Sequence, residues 1–285
     1  MQHQHPNRTA IVYDFDGTLS RGNIQDYSFL PDLDINPSDF WKGVDETAEI
    51  RDCDPVLMYL WHMLNKAKQK GTPITKEALA RHGARVPLFP GVKTWFGRMN
   101  DYARARNLLL EHYVISSGNL EIIAGCPIYD EFKKVFASKY LYDDRGQAIW
   151  PGVAINYTTK TQYLFRINKG VLNSWDDHRV NRWLPMEERP LPFTRMIFLG
   201  DGDTDIPSMK MVRYQGGFSI AIFDPDCWTT QESQKNVYRL ISEDRVDFVA
   251  PADYGEGSQL EVIVKGIIGR FARDVGYREM DDEAV

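Results

Sequence analysis

The 285-residue chain predicts an α/β fold, a doubly wound parallel sheet with a small α-helical cap inserted after its first strand. Three observations carry that expectation. Short apolar runs alternate with amphipathic helical patterns, as in βαβ units. The first three of these runs end in polar, glycine-containing turns, and the carboxyl ends of parallel strands are where an open sheet binds its ligands. Between the first and second runs, the apolar residues recur at helical spacing.

Residues 10–13 form the first apolar run and lead into Asp14-Phe15-Asp16-Gly17-Thr18-Leu19. Residues 21–88 then change character, with helical patterns over 37–47, 55–70 and 75–82 and a break at Gly71-Thr72-Pro73. An insertion that enters and leaves beside the first turn reads as a cap, so the expected division is a core of 1–20 and 89–285 and a cap of 21–88. A helix is expected from Val92 towards Arg106. A second strand follows over 108–116, running into Ser116-Ser117-Gly118. Residues 132–156 read as a hairpin turning at Asp143-Asp144-Arg145-Gly146, and Thr158-Thr159 can open a helix that begins near Lys160. Residues 173–193, rich in Trp, Pro and charge, form a surface insertion to which the sequence assigns no purpose. The third strand, 195–199, runs into Gly200-Asp201-Gly202; the fourth and fifth are expected at 218–223 and 246–250.

Composition narrows the function. With 43% apolar and 26% charged residues and no internal repeat, the chain belongs with globular domains, not solenoids or disordered scaffolds. A net charge of −6 argues against a general nucleic-acid binder. No apolar run approaches the roughly 18 residues of a membrane span, and the first ten residues lack the apolar stretch of a secretion signal. Cys53, Cys126 and Cys227 are odd in number and widely spaced, as expected of reduced thiols in a cytoplasmic protein. His3 and His5 read as a polar terminus. His62, His82, His112 and His178 lack the spacing of a zinc site. The oligomeric state has no signal in the sequence.

The chemistry concentrates at Asp14 and Asp16. Two carboxylates one residue apart at the end of a buried strand raise each other's pKa and suffer desolvation unless a cation or a shared proton compensates. Gly17 and Thr18 supply a tight turn and a hydroxyl suited to a phosphate.

In order along the chain, Asp14-Phe15-Asp16-Gly17-Thr18, strand-ending Ser116, helix-opening Lys160 and Gly200-Asp201-Gly202-Asp203-Thr204-Asp205 resemble the haloacid dehalogenase-like hydrolase superfamily. The layout is similar to phosphatases with a helical cap, such as phosphoserine phosphatases, over residues 8–20 and 89–265. The resemblance implies a Mg²⁺-dependent phosphomonoesterase acting on a small phosphorylated metabolite. Asp14 would be the nucleophile that forms an aspartyl-phosphate, and Asp16 the general acid and base. Thr18, Ser116, Ser117, Gly118 and Lys160 would meet the phosphate, with Ser117 competing with Ser116 for the hydroxyl role and Lys169 the alternative to Lys160. Asp14, Asp201 and the Asp16 backbone carbonyl would hold the metal, while Asp205 would hold metal waters or orient Lys160.

Some positions depart from the pattern or add little to it. Thr204 stands where many relatives carry Asn. Gly118 and Asn119 replace the glycine and bulky apolar residue frequent in phosphoserine phosphatases, which weakens that specific assignment. Asp203 reads as a solvated loop carboxylate, and Asp224-Pro225-Asp226 as a loop turn. Tyr27, Phe29, Phe40, Trp41 and Trp61 are expected mainly in the cap core, with Asn23 and Arg51 as speculative polar contacts. The competing readings are a phosphotransferase or phosphomutase of the same superfamily and a non-catalytic binding protein that keeps the fold. Dehalogenation is disfavoured, because Asp16 supplies a leaving-group acid which that reaction does not need.

Overall fold

The computed structural model describes residues 7–276, so His3 and His5 lie outside the described residues. Seven strands, β1 Arg8–Tyr13, β2 Leu109–Asn119, β3 Lys134–Tyr142, β4 Ala148–Val153, β5 Met196–Gly200, β6 Phe218–Phe223 and β7 Phe248–Pro251, form one sheet in the order β4-β3-β2-β1-β5-β6-β7. Every pairing is parallel except β3 with β4. From β1 the chain builds first towards β2 and β3, then returns to place β5 on the other side. That reversal opens a crevice at the carboxyl ends of β1, β2 and β5.

Eleven α-helices accompany the strands among the described residues. In the stretch between β1 and β2 these are α1 Phe29–Asp32, α2 Pro37–Arg51, α3 Pro55–Gln69, α4 Lys76–Gly83 and α5 Val92–Arg104. The remainder are α6 Leu120–Ala124, α7 Thr159–Lys169, α8 Asp177–Asn181, α9 Ile206–Tyr214, α10 Gln231–Ser242 and α11 Gln259–Asp274. Local chemistry sets several boundaries. Asn36, Asp54 and Thr75 accept backbone N–H groups at the starts of α2, α3 and α4, and Pro37 and Pro55 occupy first-turn positions that need no donor. Each such cap contributes about 1 kcal/mol.

The alternation along β1 shows the double winding. Ile11 and Tyr13 pack in one buried cluster with Trp95, Phe96 and Met99 of α5 and Leu260, Val264 and Ile268 of α11. Ala10 and Val12 point into the other, with Tyr163, Leu164 and Ile167 of α7, Met209 of α9 and Leu240 of α10. Beneath the first turn, the Trp95 indole N–H donates to Tyr13 Oη (2.9 Å), and Tyr13 Oη lies 2.9 Å from His112 Nδ1. Burial pushes His112 down to about 3 and keeps it neutral, so Nδ1 accepts from Tyr13 while Nε2–H donates to Asn100 Oδ1 at 3.1 Å.

The helical insertion is tied together where it leaves the core. The Arg21 N–H donates to Pro87 O, and the Phe89 N–H to Leu19 O, so both ends pass side by side. The Arg21 side chain grips Asp224 and Asp226, which gives that acidic loop a structural partner. Helix α4 presses on α6 where a Cβ at Gly125 would overlap the Ala80 backbone carbonyl. Tyr140 Oη donates to Leu60 O, linking α3 to β3. Residues 173–193 are strapped to α7: the Arg166 guanidinium donates to the Asn173, Ser174 and Asp176 carbonyls, and Lys169 Nζ donates to the Val180 and Arg182 carbonyls.

Candidate active site

The carboxyl ends of β1 and β5 bring Asp14, Asp201 and Asp205 together, with one carboxylate oxygen from each lying within 4.8 Å of the others. Position follows from the backbone. The Asp14 N–H donates to Leu199 O, which locks the end of β1 to the end of β5. Gly17 has φ +74°, and a Cβ there would run into the Asp201 carboxylate, so the close approach of the two turns needs glycine. Asp205 Oδ2 accepts the Asp201 N–H at 3.2 Å and so shapes its loop.

Lys160, fully buried at the start of α7, lies 3.0 Å from Asp14 Oδ2 and 2.7 Å from Asp205 Oδ1. Burial works against its ammonium, but the two carboxylates overcome it and hold Lys160 above its ordinary value. Lys169, the sequence alternative, is instead committed to backbone carbonyls of the 173–193 segment.

Burial, then the nearby Asp205, pushes Asp14 up to about 7 in spite of Lys160. Burial and Asp14 together push Asp16 up to about 8, against the stabilising Ile24 N–H that donates to Asp16 Oδ1 at 3.0 Å. Asp201 is raised well above the carboxylate range by burial and by Asp205 and Asp14; one side of the residue stays open to solvent while its carboxylate lies against Gly17. Asp14 Oδ1 is buried without a hydrogen-bond partner, and so is Thr18 Oγ1. An orphaned carboxylate oxygen among crowded acids suits a hard cation that takes oxygen donors, such as Mg²⁺. The two Asp205 oxygens are engaged by Lys160 and the Asp201 N–H, which places this residue as an organiser of the cluster.

Strand β2 contributes through an irregularity. Its ladder with β3 steps from Ser116↔Ala137 to Asn119↔Ser138, so Ser117 and Gly118 bulge out of register. Ser116 Oγ accepts the Gly118 N–H at 2.9 Å, leaving the hydroxyl proton available. The Ser117 carbonyl accepts from Tyr59 Oη at 2.6 Å.

A HAD family hydrolase from Salmonella enterica subsp. enterica serovar Typhi superimposes with a TM-score of 0.55 at 15% identity, over 92% of this chain and 72% of that one. A substrate-bound phosphoserine phosphatase does so with a TM-score of 0.53 at 16% identity, over 91% and 98%. The chain has the haloacid dehalogenase-like fold. No protein-family model matches it. A relative from Borreliella burgdorferi (strain ATCC 35210 / DSM 4680 / CIP 102532 / B31), described as an uncharacterized protein, is 26% identical over 282 residues, covering 90% of this chain and 95% of its own length.

On the haloacid dehalogenase-like core, the helical insertion borders an open pocket of about 190 Å³ that reaches Asp16, Ser117, Gly118 and Thr204. The insertion lines it with Asn23, Gln25, Trp41, Asp45 and Tyr59, while Tyr157 comes from the segment before α7. Of the polar contacts expected there, Asn23 is present. Arg51 is not: it is exposed at the end of α2, outside the lining. Phe29 and Phe40 are buried core, and Trp61 lines a different groove beside Trp150. The Asp203 side chain lies outside the described residues. Gln25, Asp45, Tyr59 and Tyr157 escaped the sequence reading; no local motif marks them. All three cysteines are free thiols, and among the described residues no helix is long and apolar enough to cross a membrane.

Proposed function

We propose that this chain is a Mg²⁺-dependent phosphomonoesterase that hydrolyses a small phosphorylated metabolite through an aspartyl-phosphate on Asp14. The observation that carries the proposal is a buried lysine clamped between Asp14 and Asp205, with the Asp16 carboxyl, pushed up to about 8, beside them.

Asp14 is fixed by the Lys160 ammonium at Oδ2, which orients the carboxylate for attack on phosphorus. Asp16, up at about 8, carries the proton needed by the leaving alkoxide. As that proton moves to the ester oxygen, the P–O bond to the alcohol breaks and the phosphoryl group remains on Asp14. Asp16, now a carboxylate, takes a proton from water as the water oxygen attacks phosphorus. The P–O bond to Asp14 breaks, inorganic phosphate leaves, and Asp14 returns as a carboxylate and Asp16 as the acid. Lys160 and the free Ser116 proton offset charge on the phosphoryl oxygens. Bound Mg²⁺, held by Asp14, Asp201 and the Asp16 backbone carbonyl, supplies further charge neutralisation at the nucleophile and phosphate. The helices of 21–88 act as the cap that excludes water over residues 1–20 and 89–285. The free thiols support a cytoplasmic address.

Release of inorganic phosphate from an aryl phosphate and a panel of metabolite monoesters, in Mg²⁺ and in EDTA, tests this reading. Metal-dependent release that Asp14→Asn abolishes is expected. Turnover that survives that substitution, or none in Mg²⁺, overturns it. A candidate acceptor alcohol added to the assay separates hydrolysis from phosphoryl transfer.

A further inference from the structure

The cavity above the phosphate site has a chemistry of its own. Beyond Asp16 its lining includes the Asp45 carboxylate and the rings of Trp41, Tyr59 and Tyr157, with no Lys, Arg or His among the described residues. The polar ends of two rings are already used. The Trp41 indole N–H donates to Asp26 Oδ1 at 2.8 Å, and Tyr59 Oη donates to the Ser117 carbonyl at 2.6 Å. Their ring centroids stand 5.7 Å apart at 57°, so they form a fixed aromatic corner that has π surface left to offer a ligand. Gln25, only 1% exposed, also lines the cavity, and its Oε1 has no donor. The lining combines ring faces, acidic side chains, amides and hydroxyls, and none of its side chains carries a positive charge to neutralise an anion. Arg21, two residues before Asn23, is engaged on Asp224 and Asp226, and Lys160 on Asp14 and Asp205.

We infer, building on the phosphomonoesterase reading, that the alcohol portion of the substrate carries a compact organic cation, an alkylammonium seated against Trp41, Tyr59 and Tyr157 with Asp45 as its counter-charge. Ring faces attract such cations electrostatically, and a carboxylate at the mouth adds to the attraction. Phosphoserine also carries an ammonium, but it adds a carboxylate for which this lining holds no cationic side chain. The phosphate end is common to all monoesters, so selection rests with this corner.

The test compares kcat/KM for phosphate release from five probes: phosphocholine, phosphoethanolamine, the neutral isostere 3,3-dimethylbutyl phosphate, phosphoserine and p-nitrophenyl phosphate, with a 5′-nucleotide as an aromatic competitor. At least one ammonium ester should exceed the neutral isostere by about tenfold and phosphoserine by more. Asp45→Asn and Trp41→Leu should each shrink the ratio of cationic to neutral ester about fivefold or more, a ratio that loss of fold alone does not move. If p-nitrophenyl phosphate turns over while the neutral isostere, phosphoserine or the nucleotide matches or beats both ammonium esters, the inference falls and the phosphomonoesterase reading stands. If no probe is hydrolysed in Mg²⁺, both fall.

Discussion

Replacing Lys160 by methionine removes a cation in contact with two buried carboxylates while keeping most of the side-chain volume. At 3.0 Å from Asp14 and 2.7 Å from Asp205, the ammonium gains about 5.5 and about 6 kcal/mol of gross attraction at an effective dielectric of about 20. Desolvation of a fully buried lysine offsets much of that, so the expected net loss is the ~3–5 kcal/mol seen when one partner of a buried pair is deleted. For a chain of this size that lowers Tm by about 6–15 °C. The pH dependence has a definite sign. Asp14 already sits up at about 7, and without Lys160 it rises further. A carboxylate raised in the folded state contributes its stability below its ordinary value near pH 4 and loses it as pH climbs through the folded value. The Lys160→Met deficit should therefore be largest near about pH 8 and shrink towards about pH 5. Calorimetry in EDTA at both pH values measures it. Adding Asp205→Asn should recover part of the loss, because it removes one uncompensated charge. A deficit under about 1 kcal/mol at the higher pH, or one that grows on acidification, refutes the reasoning.

Asp16→Asn should still phosphorylate on an aryl phosphate, whose leaving group needs no acid. Rapid-quench traces should then show a phenol burst near one equivalent, followed by turnover slowed ~10²–10⁴-fold; wild-type steady-state rates would contradict the role given to Asp16. Gly17→Ala forces a Cβ into the Asp201 carboxylate at a left-handed φ, so the Mg²⁺ concentration for half-maximal activity should rise at least about tenfold, read from metal titrations. His112, held neutral down to about 3, makes the folded state resist a proton that the unfolded chain accepts below about pH 6.5. Stability should fall by about 2 kcal/mol on this account between about pH 6.5 and 5, and His112→Gln should flatten that slope in urea titrations.

Much of the site was legible because its signals are local. A carboxylate pair after an apolar run, and an Asp-rich turn after another, each declare a strand end, and parallel topology brings such ends together. Residues 10–13 and 218–223 accordingly fall within β1 and β6, and 195–199 overlaps β5, which begins one residue later at Met196. What failed was set by packing. The apolar run predicts a strand ending at Ser116, but β2 runs to Asn119, because a bulge at Ser117 and Gly118 continues it past the first polar residue. The hairpin over 132–156 is present, turning where Gly146 takes φ +74°, yet its first arm also pairs in parallel with β2, which alternation alone does not reveal. The last strand begins at Phe248, not 246, where Asp247 is clasped by Arg213 and the Ser219 N–H. The aromatic corner was the least legible part. Trp41, Tyr59 and Tyr157 lie on three separate segments, and only the packing of α2 against α3 brings the first two together.

The most direct measurement is the covalent state of Asp14 during turnover. Enzyme quenched in acid while hydrolysing an aryl phosphate with Mg²⁺, reduced with borohydride and mapped by mass spectrometry, should show homoserine at position 14 and nowhere else. Unmodified Asp14 in a sample that is turning over, or label on another residue, would contradict the account.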